Sequence, residues 1–298
     1  MDGILLLDKP LGLSSTAAGQ RLRRLLRVDK VGHVGSLDPL ATGMLPLCIG
    51  EATKLAGEIL EGDKLYRFTV KLGARTRTGD IEGDVVESRP VPVLSAAQVQ
   101  ALMANFVGES LQVPPMYSAI KQQGQPLYKL ARAGKVVERE PRKIRIEHFR
   151  LLDIPTADEL NCEVLCGKGT YVRVLALDLA ASLGTVGHVT RLRREQVAPF
   201  KPENMVGFET IEATLASGEP LPLIELSASV GHLPLVTLDA EGARRLGHGQ
   251  EVNIAERHLP LGQTVRVVDS QDRFLGLGRL VAPARLAAKR LVRQGADE

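Results

Sequence analysis

The stretch Lys64–Leu72, KLYRFTVKL, limits the fold more than any other part of this 298-residue chain. Tyr66, Phe68, Val70 and Leu72 alternate with Arg67, Thr69 and Lys71. That is the period-2 pattern of a strand with one apolar and one polar face. Strands of this sort, without a regular strand–helix–strand rhythm along the chain, point to an α+β fold rather than a doubly wound one.

The flanking segments add elements around this strand. GILLL (3–7) reads as a short buried strand. SSTAAGQRLRRLLRV reads as a helix capped by Ser14 or Ser15, with Ala18, Leu22, Leu25 and Leu26 on one stripe. EATKLAGEIL is helical in pattern, and Ser95 can cap a helix running to about Val107. RKIRIEHFRLLDI reads as a strand. LNCEVLCGKGTYVRVLALDLAASLG reads as strand, glycine turn and helix, with Thr170 as N-cap and Gly184 as stop. The basic, proline-punctuated LQVPPMYSAIKQQGQPLYKLARAGK reads as an excursion from the main body. From about His232, short strands alternate with turn residues, as in a small separate β-rich domain. The expected division is therefore 1–230, with the excursion at about 110–142, and 231–298.

Several classes drop out. No apolar run approaches the ~20 residues of a membrane span, and MDGILLLDKP is not a secretory signal. Three cysteines are too few, and odd in number, for a disulfide framework, so a cytoplasmic, reducing location is expected. Cys162 and Cys166 share a strand face with Val164 and read as core; no histidine follows at zinc spacing, so no metal is predicted. GKGTYVR fails the phosphate-loop pattern because Cys162 stands where its first glycine belongs. The net charge of +3 hides an uneven distribution. Lys121–Arg150 carries nine Lys/Arg against three Glu, and RLRRLLR (21–27), RLRR (191–194) and Arg285, Lys289, Arg290 and Arg293 are also basic. This is the footprint of a polyanion partner, or a set of solvated helix faces.

Four residues carry candidate chemistry. In GHVGSLDPLATGMLP (32–46), three glycines and two prolines frame a single acid, Asp38. On spacing alone, an aspartate before proline is a turn former; a shaped loop is also how a nucleophile is held. Arg173 falls in the first turn of its helix, where the helix dipole disfavours a cation. Either it is exposed at small cost or it pairs with a carboxylate from elsewhere. Tyr66 is a core residue or a base-stacking platform. His33 is a turn residue or a base contact.

Taken in order, GILLLDKPLGLSS, GHVGSLDPLATGMLPLCIGEATK, YRFTVKLGARTRTGDIEG, PPMYSAIKQQGQPLYKLARAGK, GKGTYVRVLALDLA and HVTRLRREQVAPF resemble the bacterial tRNA pseudouridine synthase B family over roughly Gly3–Phe200. LDAEGARRLGHGQEV through FLGLGRLV is similar, less specifically, to a PUA-like RNA-binding domain. Gly167 and Ala198 depart from the usual Ser and Gly. The resemblance implies a mixed, largely antiparallel sheet flanked by helices, an inserted thumb and a small C-terminal β-rich PUA-like domain. It implies isomerisation of uridine 55 in the T loop of tRNA to pseudouridine, by a monomer that needs no cofactor, metal or membrane. By resemblance Asp38 is the catalytic aspartate, with Tyr66 and Arg173 beside it. His33 supports the disturbed loop, Leu192 walls the base pocket, and Lys9 lies in a supporting motif. Lys54, Lys121, Tyr128 and Arg132 belong to the RNA grip. The competing readings are a non-catalytic RNA-binding or RNA-folding protein on the same scaffold, and a relative working with guide RNA. Retention of Asp38, Tyr66 and Arg173 favours the enzyme, and YSAIKQQGQPLYKLARAGK favours stand-alone tRNA recognition.

Overall fold

Gly3–Lys9 (β1) lies antiparallel to Ala41–Ile49 (β3), Leu5 opposite Leu47 and Lys9 opposite Gly43. Both strands are buried along almost their whole length, which is why they read as continuous apolar runs. The computed structural model describes residues 1–256 and 258–293. Between β1 and β3, helix α1 (Ser15–Leu26) starts where the Ser14 hydroxyl accepts the Ala17 N–H, and β2 (Val31–His33) pairs with the far end of β3. After β3 come a 3₁₀ turn, Gly50–Lys54, and the short α2 (Ala56–Leu60).

The alternating stretch is β4 (Lys64–Leu72). Phe68, Val70 and Leu72 are buried, Tyr66 is half-buried and Arg67 is exposed. Thr69, on the polar face, is also buried, its hydroxyl donating to Asn161 Oδ1 at 2.7 Å. A small hairpin follows, β5 (Ala74–Thr76) with β6 (Val85–Ser88). The next helix, α3 (Ala96–Ala104), starts at Ser95 with a reciprocal box to Gln98. Strand β7 (Gly108–Gln112) pairs with β10 (Arg142–Thr156), Gln112 opposite Arg142. Between those two residues the chain leaves the sheet as a hairpin, β8 (Lys121–Gln122) with β9 (Gln125–Pro126), and a helix, α4 (Leu127–Arg132). Then β11 (Glu159–Cys166), α5 (Val172–Ser182) and β12 (Gly187–Val197) complete the sheet.

The sheet order is β1–β3–β12–β4–β11–β10–β7, with β2 beside β3. Only β3 and β12 run parallel; the other pairs are antiparallel. Its covered face buries Leu5, Leu7, Leu45, Leu47, Phe68, Val70, Cys162 and Val164 against α1, α3 and α5, through residues such as Leu22, Met103 and Leu179. The edge at β1 is closed by bridges from Ile4 to Ile224 and from Leu7 to Val206. These belong to the segment that carries α6 (Phe208–Ser217) and α7 (Leu226–Ser229).

A second sheet follows, built from β13 (Leu235–Leu238), β14 (Val252–Asn253), β15 (Thr264–Asp269), β16 (Phe274–Ala282) and β17 (Arg285–Leu291), in the order β13–β15–β16–β17–β14. It has its own core of Val236, Leu246, Val265, Val267, Leu280 and Leu286, the second of these supplied by α8 (Ala240–Gly247). Leu277 leaves that core to pack with Ile4, Leu6, Met44 and Cys48 of the first sheet. Polar ties close the same seam. Lys289 pairs with Glu58. Lys54 donates to the Leu291 carbonyl at 2.9 Å, and the Arg293 N–H donates to Glu51 at 2.6 Å. No described helix is long and apolar enough to cross a membrane.

Candidate active site

Strand register brings the site together. Lys9 lies opposite Gly43, Gly43 beside Arg194, and Arg194 opposite Tyr66, so four adjacent strands contribute one row of the covered face. Asp38 sits just before this row, in the loop that feeds β3. The loop is stitched from outside. Leu37 N–H donates to Ser15 Oγ at 2.7 Å, and Gly12 N–H donates to the Pro39 carbonyl at 2.8 Å. Two of its glycines are sterically required. A side chain on Gly43 (φ +96°) would place Cβ 2.2 Å from the Arg194 carbonyl oxygen. One on Gly35 (φ +68°) would lie 3.0 Å from Arg194 Nη1.

Arg173 is the second residue of α5 and only 4 % exposed. Its Nε is 2.9 Å from the Asp38 carboxylate and 3.6 Å from that of Asp80. Nη1 donates to the Thr78 carbonyl at 2.8 Å and Nη2 to the Tyr117 carbonyl at 2.6 Å. The cation in the first turn is thus the one with a carboxylate partner from elsewhere, and that partner is Asp38. One guanidinium ties the Asp38 loop, the 77–84 loop and the root of the excursion together. The helix does not begin with a Thr170 cap: Tyr171 holds the cap position and offers no side-chain cap bond. The Tyr171 peptide groups are bound to the Gln112 side chain instead, at 2.8 and 3.2 Å.

Burial pushes the Asp38 carboxyl up; Arg173 pulls it down, and Asp80 pushes it up again. The net direction is upward, so Arg173 limits the cost of ionising Asp38 rather than removing it. Glu82 is also raised, by burial and by Asp80 and Asp38. Asp80 is buried and anchored, its Oδ1 accepting from the Thr78 hydroxyl at 2.5 Å and from the Glu82 N–H at 3.1 Å. Burial raises the Tyr66 phenol, and Arg194 opposes that through its charge and a side-chain hydrogen bond.

The other expected residues are spread more widely. Leu192 is buried, beside Ala41 and Phe68. His33 ends β2; burial and then the Arg194 charge lower its pKa. It lines a groove of about 400 Å³ with Thr16, Gln20 and Arg23. Lys9 is fully buried and donates to the Pro10 and Leu13 carbonyls at 2.9 and 2.6 Å, so its contacts are those of a support rather than of a phosphate ligand. Burial lowers its pKa to about 8, against the pull of Asp38 and Glu82. Lys54 does not face open solvent as a free cation. It is bound to Glu51 at 2.6 Å and to the inter-sheet seam, because the 3₁₀ turn that carries it is where the second domain docks. Lys121 and Arg132 are exposed on the excursion, and the Arg132 guanidinium lies 5.8 Å from the Tyr128 ring centre. Among the described residues, no group of three or more His, Cys, Asp or Glu is placed to hold a metal ion.

Two residues of the site do not stand out in the sequence. Asp80 carries no sequence signal beyond a polar loop. Arg194 belongs in sequence to a basic cluster, but it is 1 % exposed, and its neighbour Arg193 is spent on Asp8, with two contacts at 2.9 and 3.0 Å. Only Arg191 of the four-residue run is exposed without a partner among the described residues.

Comparison with known proteins bears on this geometry. Residues 23–172 match the family described as TruB family pseudouridylate synthase, N-terminal domain. Residues 173–222 and 234–292 match the C-terminal domains of the same proteins. A protein of Stutzerimonas stutzeri (strain A1501) named tRNA pseudouridine synthase B is 47 % identical over 297 residues, 98 % of this chain and 96 % of its own length. The chain belongs to the TruB family of pseudouridylate synthases. Proteins of the same name from Burkholderia pseudomallei (strain 668) and Chromohalobacter salexigens are 47 % and 44 % identical, over 99 % and 98 % of this chain and 98 % and 94 % of theirs. The fold is also that of a chain in a crystal structure of a Cbf5–Nop10–Gar1 complex, with TM-score 0.75 and 23 % identity over 98 % of this chain and 84 % of that one. The sheet with its mixed pairing and the second, smaller sheet are thus the family's architecture.

Proposed function

We propose that this TruB-family chain converts uridine 55 in the T loop of tRNA to pseudouridine, with Asp38 as the essential carboxylate. The observation that carries this is the 2.9 Å pairing of Asp38 with buried Arg173, with Tyr66 near enough to feel the Asp38 charge, on a chain 47 % identical to a protein named tRNA pseudouridine synthase B. In the isomerisation the N1–C1′ bond breaks, the uracil turns, and C5 bonds to C1′. C5 then gives up its proton, the freed pair restores the C5=C6 bond, and N1 takes a proton. An ionised Asp38 serves either by attacking C1′ or by taking the C2′ proton. Tyr66 stacks on the turned base and receives the C5 proton, for which its raised pKa must be offset. Leu192 closes the pocket behind the base. The nucleotide leaves the folded loop at a cost of a few kcal/mol, and His33 fills the space it vacates. Lys121, Tyr128 and Arg132 grip the backbone, which positions RNA without reading sequence.

A T-arm stem-loop carrying tritium at C5 of uridine tests the reading. The protein is expected to release the label from position 55 and none when cytidine stands there. Unchanged release from the cytidine-55 RNA would move the target elsewhere. Affinity for the same RNA should fall steeply with salt, by on the order of tenfold or more between 50 and 200 mM monovalent salt if three or more phosphate contacts form. A flat response in a filter-binding titration would remove the excursion from the RNA grip.

A further inference from the structure

Among the described residues Arg194 is the largest side chain held almost wholly from solvent, and no carboxylate there forms an ion pair with it. A buried cation without an anion is costly, and such a group is kept where its hydrogen bonds hold something in place. Its main-chain acceptors all belong to one loop, and its side chain also hydrogen-bonds Tyr66. Nη2 donates to the Gly35 carbonyl at 2.9 Å and to the Val34 carbonyl at 3.4 Å, on the chain entering the Asp38 loop. Nε donates to the Met44 carbonyl at 2.7 Å, on the chain leaving it. The side chain therefore bolts the two ends of the loop to each other and to β12. On its other side β12 places Arg194 directly opposite Tyr66 on β4.

The glycines of the loop make room for this bolt. Gly43 admits the Arg194 backbone and Gly35 admits its guanidinium, as the 2.2 and 3.0 Å approaches of their hypothetical Cβ atoms show. We infer that Arg194 is a positioning residue for the isomerisation: it holds the Asp38 loop in fixed register with the strand carrying Tyr66, so that carboxylate and phenol address the same nucleotide. The inference rests on the proposed role of Asp38. It gives Arg194 no contact with substrate. The charge also reaches the neighbours, since after burial it is among the causes that hold Lys9, His33 and Lys64 low.

Two variants reach this joint from opposite sides. Arg194→Lys keeps the charge and loses the fork that spans both ends of the loop; Gly35→Ala crowds Nη1 from the loop and leaves Arg194 in place. Single-turnover pseudouridine formation on the T-arm stem-loop should fall about 30-fold or more in the first and about tenfold in the second. The dissociation constant for RNA should stay within threefold in both. The double variant should be little slower than the slower single one, because both damage one joint. The inference is overturned by wild-type rates in either folded variant, by a rate loss matched by an equal loss of RNA affinity, or by multiplicative losses in the double variant. If Arg194→Lys does not fold, Gly35→Ala alone decides, by rate against affinity. Failure of the underlying reading looks different: the wild-type protein would then form no pseudouridine on the stem-loop.

Discussion

Asp38→Asn should lose on the order of a thousandfold or more of its tritium release while binding the T-arm stem-loop within about threefold of wild type. The amide has the shape of the carboxylate but neither attacks C1′ nor accepts a proton from C2′. Arg173 retains Asp80 and the Thr78 and Tyr117 carbonyls, so the cleft should keep its form. Stability should not suffer. Burial raises the Asp38 carboxyl in the folded state, and such a group contributes stability that is fully present below its unfolded pKa and lost as pH rises through the folded value. At neutral pH the wild type has lost that contribution; the asparagine, neutral throughout, has not. The variant's thermal midpoint should equal or exceed the wild type's near pH 7, and the two should converge below about pH 4. A lower midpoint near pH 7 would mean that the ion pair with Arg173 outweighs desolvation. Residual release above one per cent of wild type would remove Asp38 from the chemistry.

What could be read from the residues, and what could not, divides along local and long-range causes. The alternation in Lys64–Leu72, the Ser95–Gln98 box and the Ser14 cap are set by neighbours in sequence, and each appears where the pattern puts it. Arg173 was conspicuous because it broke a local rule, but its partner lies 135 positions away and only the fold shows it. Arg194 reads as part of a basic run because its four-residue segment is rich in arginine, whatever face each one takes. Irregularities in the β12–β4 pairing between Val189 and Arg191, and between Arg194 and Gln196, reset the alternation of faces. Within RLRR itself the register is continuous, so Arg194 shares the face of buried Leu192; that its guanidinium ends on the loop carbonyls rather than in solvent is a tertiary event. Resemblance places Lys54 in the RNA grip, but the docking of the second sheet on its turn, a tertiary event, occupies its ammonium. Thr170 was displaced as cap because the Gln112 side chain, 59 positions from Tyr171, satisfies the peptide groups where the helix begins. The glycines around Asp38 were visible as a shaped loop; that they clear space for Arg194 was not.

Removal of the Arg173 charge should cost both rate and fold, and pH should separate the two. In Arg173→Met the Asp38 and Asp80 carboxylates, both within 3.6 Å of the present Nε, would face each other without the cation between them. Asp38 would then resist ionisation more strongly. Breaking a fully buried pair typically costs about 3–5 kcal/mol; the Asp38 side chain is 39 % exposed, so solvent screening lowers the expectation to about 2–3 kcal/mol in denaturant unfolding near pH 7. The deficit should shrink as pH falls, because protonating a carboxyl with a raised folded pKa relieves the repulsion. Activity should move the other way. The acidic limb of the wild-type pH–rate profile should already lie above the ~3.9 of an ordinary aspartate, since the Asp38 carboxyl is raised. In Arg173→Met that limb should shift further up, with a rate loss of about a hundredfold or more at neutral pH. Arg173→Lys supplies the control. An ammonium keeps the charge beside Asp38 and returns the limb toward its original position. As a point donor it cannot span Asp38, Thr78 and Tyr117 at once, so the rate should recover only in part. If Arg173→Met leaves the acidic limb where it was, the guanidinium acts on the Thr78 and Tyr117 carbonyls alone, and Asp38 is ionised by other means.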